Sequence, residues 1–496
     1  MGEEAEEQPR PSPESAADGV GEATSDGVNS WPVVHYDVAP YRTYHFFQQF
    51  RTTSSNPNNF LKGVKWSPDG SCFLTCSDEN TLRVFSLPYE SDGSSINDPQ
   101  SVPDSDSYGA SLVVSEGESV YDYCWYPHMS SSNPDLCVFA TSTRDHPIHL
   151  WDANTGQLRC TYRAYDAMDE ITAAFSIGFN PNGNKIFAGY NKTIRVFEVH
   201  RPGRDFQQYS TLLGNKEGQS GIISSIAFSP TYSGMLAAGS YSQTTAIYRE
   251  DNMELLYVLH GQEGGVTQVQ FSKDGNYLYT GGRKDPYVLC WDIRKTVDIV
   301  YKLYRSSEGT NQRIQFDIEP LGRYLGTGGQ DGLVHIYDLQ TGQWISSFRA
   351  ALDTINGLAF HPFLPMAATS SGHRRYGGLD DSEENNTLSV HSPLAWAALN
   401  YYDFVLELYL EPISNICSLL ALTLDVDSIF YHVMLYRRPL TSCIGVNSSR
   451  HLHAMLLMAW IYSTAVVVVT IPVPPLRSVI RQWNIQESKR WGQNNE

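Results

Sequence analysis

The sequence places arginines and lysines beside tyrosines in several short segments. Lys192 follows Tyr190, and Arg283 and Lys284 lie just before Tyr287. Cationic side chains bind phosphate and aromatic rings stack on unpaired bases, so this combination is typical of a surface for single-stranded RNA. Acidic residues occur nearby and would weaken such a surface: Asp166, Asp169, Glu170, Glu217, Glu263 and Glu308. Recognition of a peptide or protein is therefore the alternative, and composition alone favours it.

Seven repeats of roughly 40–60 residues contain these segments. Each repeat opens with an alternating run that ends in an aromatic residue: Trp66, Trp125, Phe179, Phe228, Phe271, Phe316 and Phe360. A turn such as Ser67-Pro-Asp-Gly70 generally follows, in which Pro fixes φ and Gly accepts a positive φ. A second strand ends in small residues, and a third closes with an aromatic residue, as in Ile148-His-Leu-Trp-Asp152. With a fourth strand such as 344–348, each repeat predicts a four-stranded blade.

These repeats resemble the WD-repeat family over about residues 60–390. The resemblance implies an all-β fold, a seven-bladed β-propeller, which we place at 44–391 with an acidic insertion at 90–119. The seventh repeat departs from the pattern, because His391-Ser-Pro stands where a third strand should end in an aromatic residue. The N-terminal run Thr43–Phe50 is a candidate for completing this blade, although the sequence does not assign the strand.

Aspartates recur between the second and third strands of the repeats, at Asp78, Asp145, Asp285 and Asp331. Two carboxylates carry out acid–base catalysis only where they converge. The WD-repeat resemblance implies instead that each Asp tightens a turn through side-chain hydrogen bonds. No nucleophile motif, phosphate-binding loop or metal-ligand spacing accompanies them. The sequence therefore predicts a protein that is not an enzyme, with no catalytic residue, metal site or cofactor.

The propeller geometry that the resemblance implies brings two classes of loop to one face. Loops between second and third strands would carry Arg144, Lys192, Arg283, Lys284, Arg374 and Arg375. Loops that enter a first strand would carry Arg163, Lys216, Arg305 and Arg313. The tyrosines interleaved with them are Tyr165, Tyr190, Tyr241, Tyr287 and Tyr376. We predict that any ligand binds on this face.

The acidic charge of the chain is concentrated outside the repeats. The formal net charge is -19, yet residues 1–30 contain eight acids and one base, and residues 90–119 contain seven acids and no base. Such segments are typical of disorder, and we interpret 1–43 as a disordered acidic arm. The repeats themselves are near neutral, which is compatible with a locally basic face.

Cysteine usage and the N-terminus bear on the compartment. The eight cysteines show no C-x-x-C pair, and the first residues, Met-Gly-Glu-Glu, lack the basic and apolar regions of a secretory signal. We therefore expect reduced cysteines in a cytosolic or nuclear protein. No basic cluster resembles a nuclear import signal.

Several further stretches are not part of the WD-repeat consensus. They include Tyr44-His-Phe-Phe-Gln-Gln-Phe-Arg51, Arg144-Asp-His-Pro-Ile-His-Leu-Trp-Asp152, Arg201-Pro-Gly-Arg-Asp205, Gly281-Gly-Arg-Lys-Asp285 and Thr310-Asn-Gln-Arg-Ile-Gln-Phe-Asp317. Together they resemble the telomerase Cajal body protein family over about 44–390. This resemblance implies a scaffold that binds small Cajal-body RNAs and telomerase RNA. It would direct the ribonucleoprotein, with Cajal-body proteins as partners, to nuclear Cajal bodies, and a cytoplasmic pool is also compatible.

Charge and loop position then select candidate RNA-binding residues among the matched stretches. They are Arg283, Lys284, Arg313 and Arg144, followed by Lys192, Arg201 and Arg204, with Tyr190 and Tyr287 as stacking residues. A general protein-binding adaptor that uses the same face remains the alternative.

Residues 392–496 differ in composition and pattern from the repeats and contain long apolar runs. The segment 454–471 has 18 uncharged residues, which is the lower limit for a membrane span. A membrane anchor, an additional packed subdomain and an atypical C-terminus from alternative or mispredicted splicing are the three interpretations. We favour the last, because the family resemblance ends where this pattern begins.

Overall fold

The computed structural model describes residues 33–46, 50, 59–87, 109–214, 217–231, 233–295, 298–374, 397–401 and 404–405. Apart from Val33 and Val405, these residues belong to one contact unit, 34–404. Their secondary structure is β, apart from short 3₁₀ segments that include Pro134–Leu136. The first two strands are β1 Val33–Val34 and β2 Tyr41–Phe46.

Six antiparallel sheets each consist of four strands that are consecutive in the chain, and we number them as blades 1 to 6. Blade 1 contains β3 Leu61–Trp66, β4 Cys72–Ser77, β5 Thr81–Ser86 and β6 Leu112–Ser115, and blade 2 contains β7 Val120–Trp125, β8 Val138–Thr143, β9 Ile148–Asp152 and β10 Leu158–Tyr162. Blade 3 contains β11 Ser176–Phe179, β12 Lys185–Tyr190, β13 Thr193–Glu198 and β14 Gln207–Ser210, and is followed by the short pair β15 Leu212–Leu213 and β16 Glu217–Gly218. Blade 4 contains β17 Ile223–Phe228, β18 Met235–Ser240, β19 Thr244–Arg249 and β20 Leu255–His260, and blade 5 contains β21 Val266–Phe271, β22 Tyr277–Gly282, β23 Tyr287–Asp292 and β24 Ile299–Tyr304. Blade 6 contains β25 Phe316–Ile318, β26 Tyr324–Thr327, β27 Leu333–Asp338 and β28 Gln343–Arg349.

A different four-stranded sheet joins the two ends of the repeat region. The remaining strands are β29 Ile355–Phe360, β30 Met366–Ser371, β31 Ala397–Tyr401 and β32 Phe404–Val405. The order of this chain-end sheet is β2-β31-β30-β29, so β31 pairs with β30 on one side and with the N-terminal strand β2 on the other.

The all-β propeller prediction is confirmed, but the number and origin of the blades require a correction. We predicted one blade from each of seven repeats, whereas six blades are built from consecutive strands. Within the described residues, the seventh repeat supplies β29 and β30. Strand β31 comes instead from residues beyond 391, where we ended the propeller. The predicted closing run Thr43–Phe50 overlaps β2, which begins at Tyr41.

The predicted turns between first and second strands form as the sequence indicates. In blade 1, Gly70 has a φ of 69°, a left-handed conformation that favours glycine. The carboxylate of Asp69 accepts hydrogen bonds from the Ser67 hydroxyl at 2.7 Å and the Ser71 backbone N–H at 3.1 Å. The turn therefore reverses the chain with its polar groups satisfied.

Hydrophobic side chains fill the spaces between neighbouring sheets. Five buried clusters lie between consecutive blades; one of them packs Leu74 and Val84 of blade 1 against Tyr123 and Phe139 of blade 2. Two more clusters place the chain-end sheet between blade 6 and blade 1. Each sheet is thus buried on both faces, which requires apolar residues on both sides of its strands.

The first strand of each blade has one edge paired with the second strand and the other edge directed to the propeller axis. Polar side chains of the neighbouring blade satisfy backbone groups on that free edge. Ile177 N–H donates to the Asp122 carboxylate at 3.0 Å, and Val269 N–H donates to the Ser225 hydroxyl at 3.1 Å. Two further N–H groups are satisfied in the same way, Phe316 by Gln268 and Phe360 by Asp317. The N–H of Val64 in blade 1 donates to Gln315, which precedes blade 6, so this bond spans the chain-end sheet between the two blades.

A buried histidine joins the chain-end sheet to blade 1. The Nδ1 of His361 accepts hydrogen bonds from the N–H groups of Phe363 at 3.0 Å and Leu364 at 2.9 Å. Its Nε2 therefore carries the proton and donates to the Gly70 carbonyl at 2.9 Å. Burial lowers the pKa of His361 to about 4, so the imidazole is neutral in the folded protein.

This neutral imidazole predicts an acid-sensitive stability. Below pH 6.5 the unfolded chain takes up a proton at His361 that the folded protein does not take up until about pH 4. The free energy of unfolding should therefore fall as pH falls through this window, by up to about 1.4 kcal/mol per pH unit from this residue. Urea denaturation from pH 7 to pH 4 measures the slope, which His361→Gln should reduce. The exposed His200→Gln is the control, and equal slopes in both variants would contradict the prediction.

Candidate nucleic-acid interface

Loops from blades 4, 5 and 6 bring two arginines to one tyrosine hydroxyl. Arg283 lies between β22 and β23, Tyr241 between β18 and β19, and Arg313 in the segment that enters β25. Arg283 Nη2 donates to Tyr241 Oη at 3.0 Å, and Arg313 Nη2 donates to the same atom at 2.6 Å. We call these three residues the arginine–tyrosine cluster.

The cluster lies at the mouth of the central channel. Arg313 Nη1 donates to the Tyr121 carbonyl of blade 2 at 2.9 Å. Blades 2, 4 and 6 are not neighbours, so their residues can meet only near the axis. Tyr121 also stacks on Phe175, which precedes blade 3, with ring centroids 5.3 Å apart and planes 20° apart. Aromatic and cationic side chains from five blades therefore surround this opening.

The positive charge of the cluster is not neutralised by an ion pair. Within the described ranges, no carboxylate oxygen lies within 4.0 Å of a side-chain nitrogen of Arg283, Lys284 or Arg313. The Arg283 guanidinium lies over the Tyr241 ring, 4.8 Å from its centroid, and its Nε is buried without a hydrogen-bond acceptor. Burial lowers the pKa of Arg283. These features leave a cationic site with an unused donor.

Lys284 and two glycines form the rim of an open cleft of about 410 Å³ beside the cluster. Its lining residues are Tyr241, Glu263, Gly264, Gly265, Arg283, Lys284 and Asn311. Lys284 is exposed and has a φ of 51°. Gly264 packs directly against the backbone carbonyl of Arg283, and a Cβ at this position would collide with that oxygen. The sequence therefore needs glycine here for the loop to approach the arginine.

Asp285 fixes the loop that carries Arg283 and Lys284. Its buried carboxylate accepts the N–H groups of Glu263 at 2.8 Å, Gly264 at 3.1 Å and Tyr287 at 3.1 Å. It also accepts a bond from Gln262 Nε2 at 2.6 Å. The Oε1 of Gln262 accepts a hydrogen bond from the Thr280 hydroxyl at 2.8 Å. That hydroxyl in turn accepts a hydrogen bond from the indole N–H of Trp291 at 3.0 Å. This chain of bonds connects the exposed loop to the core of blade 5.

The other recurrent aspartates differ from Asp285 in their partners. Asp331 accepts one backbone bond, from Leu333 N–H at 3.1 Å. Asp78 instead pairs with Lys62 Nζ at 3.4 Å and with Arg374 Nη2 at 2.7 Å. Asp145 has a φ of 55° and an exposed carboxylate 3.2 Å from Arg144 Nε. A turn-tightening hydrogen bond is thus seen for Asp285 and Asp331, whereas Asp78 and Asp145 form ion pairs with cations.

Two further predicted cations are exposed in loops between second and third strands. Arg144 pairs with Asp145 and is close enough to Tyr121 to influence its ionisation. Lys192, with a φ of 56°, is held by backbone bonds to Gly221 and Thr211. Within the described chain, their side chains form no hydrogen bond with the arginine–tyrosine cluster.

Arg201 and Arg204 occupy a segment between β13 and β14 that runs along the outer strand of blade 2. Gly203 forms a parallel bridge with Tyr162 of that strand. Arg204 lies over the Tyr165 ring at 3.7 Å and donates to Asp169 at 3.1 Å. Arg201 is exposed in a turn after β13. The structure therefore places both arginines at the outer edge of the propeller, away from the axis.

Three residues that we assigned to the binding face have other surroundings. Tyr190 is only 6% exposed and belongs to the core between blades 2 and 3, where the Arg195 guanidinium covers its ring at 4.6 Å. Arg305 is fully buried and donates to the carbonyls of Ile314 and Gly282. Tyr287 is half-buried and packs edge-on against Tyr304. The side chains of Tyr190 and Arg305 therefore stabilise the fold and are not exposed on the face. Tyr190 is buried against blade 2, and Arg305 is buried where it bonds the carbonyls of Ile314 and Gly282.

Sequence reasoning selected Arg283 and Arg313 but did not identify their shared partner as a site residue. Tyr241 entered only as one of several tyrosines on the face, and Tyr121 was not selected as a site residue. Tyr241 follows β18 and Tyr121 is the second residue of β7, positions that indicate a face of the propeller but not the distance from its axis. Arg375, Tyr376 and Lys216 lie outside the described residues.

No group of three His, Cys, Asp or Glu residues in the described ranges could hold a metal ion. No helix of the described chain is long and apolar enough to cross a membrane. The predicted span 454–471 lies outside those ranges.

The bonds of Asp285 predict a difference between two otherwise similar aspartates. Asp285→Ala removes four hydrogen bonds from a buried loop and should lower the free energy of unfolding by about 2–4 kcal/mol. Asp331→Ala removes one backbone bond at a more exposed site and should cost about 1 kcal/mol. Urea denaturation of the two variants measures both values. Equal losses would show that the Asp285 bonds do not stabilise the loop.

Comparison with known proteins agrees with the propeller fold. The family model for the WD domain, G-beta repeat, matches residues 48–86 and 253–292. Telomerase Cajal body protein 1 of Mus musculus is 41% identical over 75% of this chain and 71% of its own length. The protein of the same name from Rattus norvegicus is 41% identical over 78% of this chain and 73% of its own length. The Drosophila melanogaster homolog is 35% identical over 68% of this chain and 61% of its own length. The identity and coverage of these relatives show that the chain belongs to the telomerase Cajal body protein 1 family of WD-repeat propellers.

Proposed function

We propose that this propeller is a non-catalytic scaffold that binds small Cajal-body RNAs and telomerase RNA and directs the ribonucleoprotein to Cajal bodies in the nucleus. The names of its relatives support an association with telomerase and the Cajal body. None of the related proteins compared above is named as an enzyme.

One observation supports RNA as the ligand. Arg283, Lys284 and Arg313 surround the channel mouth without forming an ion pair, and Tyr241 and Tyr121 lie among them. Uncompensated cations attract phosphate, and neighbouring aromatic rings provide stacking surfaces for bases. Lys192 adds an exposed positive charge on a loop of blade 3, whereas the exposed Arg144 of blade 2 is paired with Asp145.

In this proposal the chain-end sheet acts as the seventh blade and closes the ring. It packs between blades 6 and 1, and its first strand continues the pattern in which side chains satisfy the free edges of first strands. Asn356 of this sheet also donates to the Leu61 carbonyl of blade 1 at 2.8 Å. A closed ring would hold the loops of nonadjacent blades at a fixed distance across the axis.

A general protein-binding adaptor is the second candidate function. Glu263 lines the same cleft as Arg283 and Lys284, so the surface is of mixed charge. Apolar side chains are also exposed on the loop between blades 2 and 3: Met168 is 83% exposed and Ile171 is 39% exposed. Such a surface is compatible with a peptide. Treatment with RNase distinguishes the two functions, because protein partners of an adaptor survive it.

The RNA proposal predicts a face-specific loss of binding. The double variant Arg283→Ala/Lys284→Ala should recover fewer small Cajal-body RNAs after crosslinking in cells, because two phosphate contacts are removed. In vitro, the slope of log K against log salt for a single-stranded RNA should decrease by about 0.7 for each lost contact.

The same blade offers a matched control. Arg294 and Lys295 are an exposed Arg-Lys pair in the loop after the third strand β23, on the opposite face of the propeller. Arg294→Ala/Lys295→Ala changes the net charge equally and should retain RNA binding. Absence of small Cajal-body RNAs above background with the wild-type protein would refute the function. An equal loss in both double variants would refute this face as the site.

A further inference from the structure

The arginine–tyrosine cluster is rigid before any ligand arrives. Arg313 is fixed at two points, by the Tyr121 carbonyl and by Tyr241 Oη. Arg283 is fixed by the same hydroxyl and by the face of the Tyr241 ring. Side chains that are already ordered lose little conformational entropy on binding, which favours affinity. Two planar guanidinium groups are therefore held together at a defined place.

None of the nearby acids in the described chain forms an ion pair with either guanidinium. Burial lowers the pKa of Arg313, but Tyr241 and the Asp122 carboxylate outweigh burial and hold that pKa above its usual value. Asp122 is occupied by Lys65 Nζ at 3.2 Å and by the N–H of Ile177. The Asp285 carboxylate is used by loop N–H groups, and Asp145 pairs with Arg144. Glu263 lines the cleft but is not within ion-pair distance of either guanidinium in the described chain. The cluster thus contains two adjacent positive charges that share one neutral acceptor.

The cluster also contains a donor without an acceptor. The Nε of Arg283 is buried and has no hydrogen-bond partner. An unsatisfied buried donor destabilises the protein, so an acceptor that reached it would bind favourably. A tetrahedral oxyanion offers several oxygens at once and matches the fork of donors on a guanidinium.

The cleft gives a ligand access to Arg283, Lys284 and Tyr241, which line it, and Arg313 adjoins them through the shared Tyr241 hydroxyl. Gly264 and Gly265 leave its rim without side chains, and Lys284 stands at its edge. A polymer backbone can therefore approach closely, which a rim of larger side chains would prevent. An extended strand fits such an opening better than a duplex, whose phosphates are separated by its grooves.

We propose that Arg283 and Arg313 form a clamp for one backbone phosphate of a single RNA strand at the mouth of the central channel, with Tyr241 holding the two guanidinium groups in position. This clamp rests on the proposed function and assigns one phosphate contact within it. An acidic peptide is the competing occupant, because its carboxylates would also accept bonds from the guanidiniums.

The test measures binding of a fluorescent single-stranded RNA and thermal stabilisation by inorganic phosphate. The variants are Arg283→Gln, Arg313→Gln and Arg313→Lys, with Arg294→Gln as the control, since Arg294 is paired with Asp292 at 2.9 Å on the opposite face. Thermal unfolding without ligand shows which variants are folded. Arg283→Gln keeps the Arg313 bond to Tyr121 and therefore preserves the test if Arg313→Gln does not fold.

We expect Arg283→Gln and Arg313→Gln to weaken RNA binding about tenfold or more and to lower the salt slope by about 0.7 each. Arg313→Lys should recover little affinity, because lysine keeps the charge but lacks the planar fork. The control should bind as the wild type does. Stabilisation by inorganic phosphate should disappear in the same two Gln variants.

A neutral linkage in the RNA provides the decisive comparison. Methylphosphonate substitution at single positions of the oligonucleotide should reveal one position that weakens binding to the wild type but not to Arg283→Gln. If wild-type binding is intact and both Gln variants match the wild type, the clamp is wrong and the proposed function stands. If phosphate stabilises the protein through these arginines but RNA does not bind, the anion site stands and the RNA function fails. Displacement of phosphate by an acidic peptide but not by RNA would overturn the clamp as an RNA site.

Discussion

The free edges of the first strands are the constraint on which the propeller depends. Each blade ends at the axis with backbone groups that no further strand can pair, and buried unpaired groups are costly. Side chains such as Asp122, Ser225 and Asp317 satisfy these groups on the next blade. The same bonds fix the rotation of each blade relative to its neighbour. Apolar packing between blades then stabilises an arrangement that these polar contacts have already oriented.

That fixed geometry explains how a binding site can form from loops that are far apart in the sequence. Arg313 and Tyr121 are separated by 192 positions, yet a ring of oriented blades brings them together across the channel. Asp285 fixes the position of the Arg283 loop locally, because its hydrogen bonds connect this loop to the core of blade 5. Rigid blades and pinned loops together allow two like charges to remain adjacent.

The sequence predicted much of the fold because its signals are local. Alternation of apolar residues, the turn at Ser67–Gly70 and the small residues of second strands act within a single repeat, so each could be recognised separately. The chain-end sheet was harder to predict. Its strand β31 comes from 397–401, outside any repeat, and pairs with β2 from the N-terminal region. Only long-range pairing identifies such a strand. Tyr190 was misjudged for a similar reason, because its burial depends on the neighbouring blade.

By itself, the sequence determined the all-β repeat architecture, and it predicted the face that carries the cations and the candidates Arg283 and Arg313. These properties follow from residue type and from the period of the repeats. The tertiary structure alone decided which cations share a site. It brought Arg283 and Arg313 to Tyr241 and left Arg201 and Arg204 at the outer edge. The physical reason is closure of the ring, which sets distances across the axis that no spacing along the chain encodes.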